Sequence, residues 1–144
     1  MRALVEIPGL QAAEQAIAFI LDTGADTSVL MPDDYQRVPQ LEYRDFLPYP
    51  LSLSFGFGGS FSARLVTATL VFRATDDARV PIDVAMDAVR QSPSSHGVPS
   101  VIGRDVTDLF HLTIDRSIGL ISLTEAEGGF TGEFWPDGEP RSAD

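Results

Sequence analysis

The chain has 144 residues, 44% of them hydrophobic, enough for one domain with its own core. Its formal net charge is −11, which argues against nucleic acid and anionic membranes as partners, because phosphate binding needs a basic face. No cysteine is present and only two histidines, His96 and His111. Disulfides and thiolate chemistry are therefore excluded, and a metal centre or a Ser-His pair has little to draw on.

Residues 3–7 read as a first strand, stopped by Pro8 and Gly9. Glu6 and Pro8 interrupt what a signal peptide needs as an unbroken apolar core, and no run approaches the ~18 apolar residues of a membrane span, so a cytoplasmic chain is expected. Residues 16–21 are almost continuously apolar and predict a buried strand. That strand runs into Asp22-Thr23-Gly24-Ala25-Asp26-Thr27-Ser28 and then the apolar pair Val29-Leu30. Residues 31–35 open a short helix, with Pro32 near its first turn. Residues 37–50 hold three prolines and read as an irregular connection.

Two strands follow, over 51–55 and 63–72, joined by the glycine-rich tip Gly56-Phe57-Gly58-Gly59-Ser60. Within the second strand Leu65, Thr67, Thr69 and Val71 share one face, and Val66, Ala68, Leu70 and Phe72 the other. Residues 80–86 are a further strand and 91–99 a polar loop. Ser100-Val101-Ile102 leads into Gly103-Arg104-Asp105, which opens a plausible short helix reaching residue 110. Residues 111–114 and 118–123 close as a hairpin. The domain spans 1–124. Residues 125–144 are rich in Gly, Pro and acids and read as a flexible tail, part of which docks through Phe130, Phe134 or Trp135. Many short strands with one brief helix predict an all-β domain, a small closed barrel.

The chemistry concentrates at Asp22. A strand that ends in Asp-Thr-Gly puts a carboxylate at the mouth of a sheet, on a turn that Gly24 lets pass close to a ligand. On that motif alone a plain turn is the better reading, since Asp and Thr side chains commonly bond nearby backbone amides. Three elements in order change the weighing: the Asp-Thr-Gly-Ala turn after an apolar strand, the hairpin with its glycine-rich tip, and the apolar stretch ending in Gly103-Arg104-Asp105.

In these motifs and their order, residues 3–123 resemble the retropepsin-like aspartic proteases. The resemblance implies an acid-protease barrel with a flap hairpin. It implies an aspartic endopeptidase in which Asp22 is the catalytic carboxylate, one per subunit, two of them meeting at a homodimer axis. The pair shares a proton, and its ionised member activates water for attack on a peptide carbonyl, with no metal and no cofactor. Thr23 would brace the opposite loop and Gly24 would bring its amide near the carboxylates. Ala25, Asp26, Gly56, Phe57, Gly58 and Gly59 would contact an extended peptide, the last four as the flap. Arg104 would hold Asp26 as a buried bidentate pair supporting the interface. For Asp105, a first-turn acid favoured by the helix dipole is as good a reading as a catalytic one. Val29, Leu30, Phe57 and Val101 are candidate pocket residues, and residues 1–7 a candidate intersubunit strand. His111 reads as structural and His96 as solvated, and Asp33, Asp34, Asp76 and Asp77 as turn acids. A single Asp-Thr-Gly and no internal repeat exclude a two-lobed monomer. The partners expected are a second copy and a peptide or protein substrate. Two rivals stand beside the protease: a non-catalytic peptide-binding or dimerisation module on the same fold, and a structural barrel of unrelated function.

Overall fold

The alternation in residues 65–72 sets the spine of the fold. In the computed structural model, which describes residues 1–10, 16–37, 40–56, 59–73, 77–125 and 131–134, strand β6 (Gly59–Arg73) buries Val66, Ala68, Leu70 and Phe72. The opposite face exposes Leu65 and Thr67, as a sheet with one wet side requires. One edge of β6, over Ala63–Arg73, pairs antiparallel with the whole of β7 (Arg79–Val89). Its other edge is shared by β5 (Leu51–Gly56) and β1 (Arg2–Glu6). These strands are longer than the apolar pattern alone suggested, because ladder pairing carries them through polar residues such as Ser60, Ser62 and Arg79.

The sheet comes close to closing on itself. Its order is β2-β1-β6-β7-β4-β8-β3, with β5 beside β6. Here β2 is Ile17–Ala18, β3 Ile20–Leu21, β4 Val29–Leu30 and β8 Val101–Ile102. The two end strands, β2 and β3, are consecutive pieces of one segment. The Phe19 amide donates to the Met1 carbonyl at 2.7 Å, and the next amide, that of Ile20, to the Ser100 carbonyl at 2.9 Å. One residue thus switches the chain from β1 to β8 and brings the ends of the sheet together. This corrects the expectation of a wholly buried strand over 16–21. Ile17 and Phe19 point inward, while Ala18 is exposed and Ile20 is 47% exposed, because a barrel wall has one inner face.

The architecture is mostly β with a barrel-like sheet and two short α-helices, rather than the one expected. Helix α1 (Pro32–Arg37) has Pro32 at its start, Asp33 and Asp34 in its first turn and Arg37 in its last, each suited to the helix dipole. It plugs the barrel with Tyr35, fully buried, whose ring meets Phe46 edge-on at 5.0 Å. Helix α2 (Arg104–Thr107) follows β8 directly. Its chain continues into a separate antiparallel sheet, β11-β10-β9, made of β9 (Phe110–Asp115), β10 (Leu120–Glu125) and β11 (Thr131–Phe134). Strand β11 lies within the stretch read as a tail, while Phe130, Trp135 and residues 136–144 lie outside the described residues. Both edges of β1 are used inside this chain, by β2 at Arg2–Ala3 and by β6 at Leu4–Glu6. Most of residues 1–7 is therefore already committed. No helix among the described residues is long and apolar enough to cross a membrane.

Candidate functional site

The Asp22 loop leaves β3 and is pinned against β8 and α2 at nearly every step. The Asp22 amide donates to the Ile102 carbonyl at 3.0 Å, continuing the parallel β3–β8 ladder by one residue. The Ala25 amide closes the turn on the Asp22 carbonyl at 3.2 Å. The Gly24 amide donates to Asp22 Oδ1 at 2.9 Å, and that oxygen already lies 3.2 Å from where a Cβ on Gly24 would sit, so a side chain there would crowd the carboxylate. Asp22, Thr23 and Gly24 are exposed, so the carboxylate is presented to solvent with one oxygen fixed.

Beyond the turn the loop is fastened to the start of α2. The Arg104 amide donates to the Ala25 carbonyl at 2.7 Å, and the Asp105 amide approaches that of Asp26 at 3.3 Å. Ser28, with no exposed surface, is the hub. Its amide donates to Asp105 Oδ2 at 2.8 Å and its hydroxyl to Asp105 Oδ1 at 2.6 Å. The same hydroxyl oxygen accepts the Gly103 amide at 3.0 Å, and the Ser28 carbonyl accepts the Asp87 amide at 3.1 Å. A Cβ on Gly103 would lie 2.8 Å from the Ala25 carbonyl oxygen and 2.9 Å from the carbonyl carbon and oxygen of Thr27, closer than such atoms approach. The loop and the Gly-Arg-Asp segment are thus interlocked, and the glycine is what permits it.

The residues singled out from sequence divide accordingly. Asp22, Thr23, Gly24, Ala25, Asp26, Gly103, Arg104 and Asp105 come together on one side of the barrel. Arg104 pairs with Asp26 within the single chain, where the two side chains are 51% and 80% exposed. Asp105 is neither a free first-turn acid nor open to solvent in the manner of Asp22. It is the carboxylate that buckles Ser28. Gly56 and Gly59 form the last pair of the β5–β6 hairpin, and the tip residues Phe57 and Gly58 lie outside the described residues. Leu30 is fully buried in the main core, and Val101 is buried as well, so neither lines an open pocket. Val29 packs with Met31, Phe61, Ala63 and Val89 in a second cluster. His111 is exposed rather than structural, because it sits on the outer side of β9. His96 is exposed as expected, 3.7 Å from Asp33.

Three acids carry bonds that sequence did not announce. Asp34 Oδ2 accepts both the hydroxyl of Ser100, at 2.5 Å, and its amide, at 3.2 Å. Asp33 accepts the Gly97 amide, so α1 ties down the loop before β8. Asp87, on β7, is only 5% exposed and takes a 2.8 Å hydrogen bond from the Ser52 hydroxyl on β5. Burial pushes its carboxyl above the usual range; the Ser52 hydroxyl pulls it back, and nearby Asp105 adds to the rise. Nothing in the sequence marked Asp87: it lies just past the apolar run 80–86 and alternates onto the outward face with Asp83 and Ala85, where an acid reads as solvated.

Among the described residues no group of three His, Asp or Glu side chains is arranged to hold a metal ion. A groove of about 700 Å³ lined by Gln36, Leu41, Tyr43, Arg44, Arg90 and Gln91, among others, includes none of the loop residues. At this loop the described residues present an exposed carboxylate with one oxygen held by a backbone amide. Alone it can bind a hydrogen-bond donor or take up a proton; general acid and base action in one step needs a second group. No protein-family model and no curated protein matches the chain.

Proposed function

We propose that this chain is an aspartic endopeptidase of the retropepsin-like type, active as a homodimer in which two copies of Asp22 share a proton and activate water between them. The observation that carries the reading is the Asp22 loop itself: an exposed carboxylate whose Oδ1 is held by the Gly24 amide, on a loop fastened through Ser28 to Asp105. Such bracing suits a group that must keep its place while a proton moves. The long β5–β6 hairpin supports the flap role, since a two-stranded arm can supply backbone partners to an extended peptide. Each edge of β1 is used in part within the chain, by β2 at Arg2–Ala3 and by β6 at Leu4–Glu6, which favours another element for the intersubunit contact. We assign it to β9, an outer strand of the C-terminal sheet, which begins three residues after the end of α2 and carries exposed Ile114.

The test is cleavage of a diverse peptide mixture between pH 3.5 and 7.5, read by mass spectrometry, with wild type beside Asp22→Asn. Cuts that fall by roughly a thousandfold or more in the variant, with fold and association state unchanged, support the dyad. Cuts that persist at the wild-type rate refute it. No cuts from a dimeric preparation turn the reading to a peptide-binding module.

A further inference from the structure

Asp87 is the buried acid that this mechanism does not use, and its surroundings give it a task. Its side chain is bonded to β5, the first strand of the hairpin, through Ser52, while its amide holds the Ser28 carbonyl. Ser28 in turn is clasped at its amide and hydroxyl by Asp105. One residue on the long strand β7 therefore touches both the base of the hairpin and the anchor of the Asp22 loop.

The groups around it are few. Strand β6 sets Leu65 across from it, β4 sets Val29, and β5 supplies Ser52. Along β7 its same-face neighbours are Ala85 and Val89. The charged group acting on it is Asp105 of α2. With both acids ionised, two carboxylates repel beside the buckle that Asp105 makes with Ser28; with Asp87 neutral, Asp105 keeps its bonds without that opposition.

We propose that Asp87 is a positioning residue, a charge-dependent brace that couples the β5–β6 hairpin to the Asp22 loop. Its neutral form tightens the Ser28–Asp105 buckle and its ionised form loosens it. The role as positioning residue rests on reading the Asp22 loop as catalytic; the coupling does not.

Amide hydrogen exchange on the full chain, followed by mass spectrometry at pH 5 and pH 8 and corrected for intrinsic rates, reads the coupling without any cleavage. Asp87→Asn keeps an oxygen for the Ser52 hydroxyl and remains neutral. The lower the pH, the closer wild type should come to it over residues 22–30 and 51–56. At pH 8 both segments should exchange several-fold faster in wild type than in Asp87→Asn, with β1 unchanged as internal reference. Ser52→Ala cuts the link on the hairpin side, so in it residues 51–56 should lose their pH response while 22–30 retain theirs. Equal exchange in wild type and Asp87→Asn at both pH values, or differences spread evenly over β1, would overturn the proposal, as would an unaltered pH response of 51–56 in Ser52→Ala. Peptide cleavage on the same samples separates the two readings. Asp22-dependent cleavage whose alkaline limit moves up in Asp87→Asn supports the positioning role. Cleavage with an unmoved pH profile overturns that role. The exchange pattern without any cleavage overturns the protease reading and leaves the brace standing.

Discussion

Gly103→Ala is the sharpest probe of how the loop is held. The backbone at Gly103 is extended, with φ −100° and ψ −169°, so alanine could adopt it and no conformational penalty arises. The objection is purely steric. The new methyl would meet the Ala25 carbonyl oxygen at 2.8 Å and the Thr27 carbonyl carbon and oxygen at 2.9 Å. All three are backbone atoms of the Asp22 loop, which cannot rotate aside as a side-chain tip would. Relief requires the loop to move off α2, which stretches the Arg104–Ala25 and Gly103–Ser28 hydrogen bonds. Overpacking of this kind costs about 1–3 kcal/mol, a lowering of Tm on the order of 3–12 °C for a domain of this size. Urea unfolding measures the first and a thermal scan the second. Gly56→Ala is the control, since nothing lies within 4 Å of its Cβ position, and it should stay within about 0.5 kcal/mol of wild type. A Gly103→Ala protein as stable as Gly56→Ala would refute the interlocked loop.

The Asp26–Arg104 pair is largely solvated in the single chain, so Arg104→Ala in dilute protein should cost only about 0–1 kcal/mol by urea unfolding; a loss above 2 kcal/mol would show a buried clasp. Tyr35→Phe removes the 2.7 Å hydrogen bond from the phenol to the Val89 carbonyl and should lower stability by about 1 kcal/mol, seen as a Tm drop of roughly 2–4 °C; an unchanged Tm would mean that bond contributes nothing. Asp87 also predicts a pH dependence of stability. Its folded carboxyl holds a proton more tightly than the unfolded one, so its contribution is complete below the unfolded value of about 4 and is lost as pH rises through the higher folded value. Asp87→Asn should therefore gain on wild type in urea unfolding between pH 4 and pH 8, and a gap that is constant across that range would contradict the raised carboxyl.

Local pattern alone determined a good deal. The inward face of β6, the hairpin pivot between β5 and β6, the Pro32 start of α1 and the turn at Asp22-Thr23-Gly24 all follow from alternation, glycine placement and capping chemistry, which act over a few residues. The same span of sequence also brought Gly103-Arg104-Asp105 to attention. What each of those three residues does was decided only by tertiary structure. Arg104 meets Asp26 at the surface, Asp105 clasps Ser28, and Gly103 makes room for the backbone of residues 25–27, because a parallel β3–β8 pair sets the two segments side by side. The break at Phe19 that closes the sheet, the commitment of β1 to two partners and the placement of Asp87 between Ser52 and Ser28 likewise depend on contacts between residues far apart in the chain. A buried acid reads in sequence like any other acid. Only the fold shows which neighbours receive its hydrogen bonds and which charges it must face.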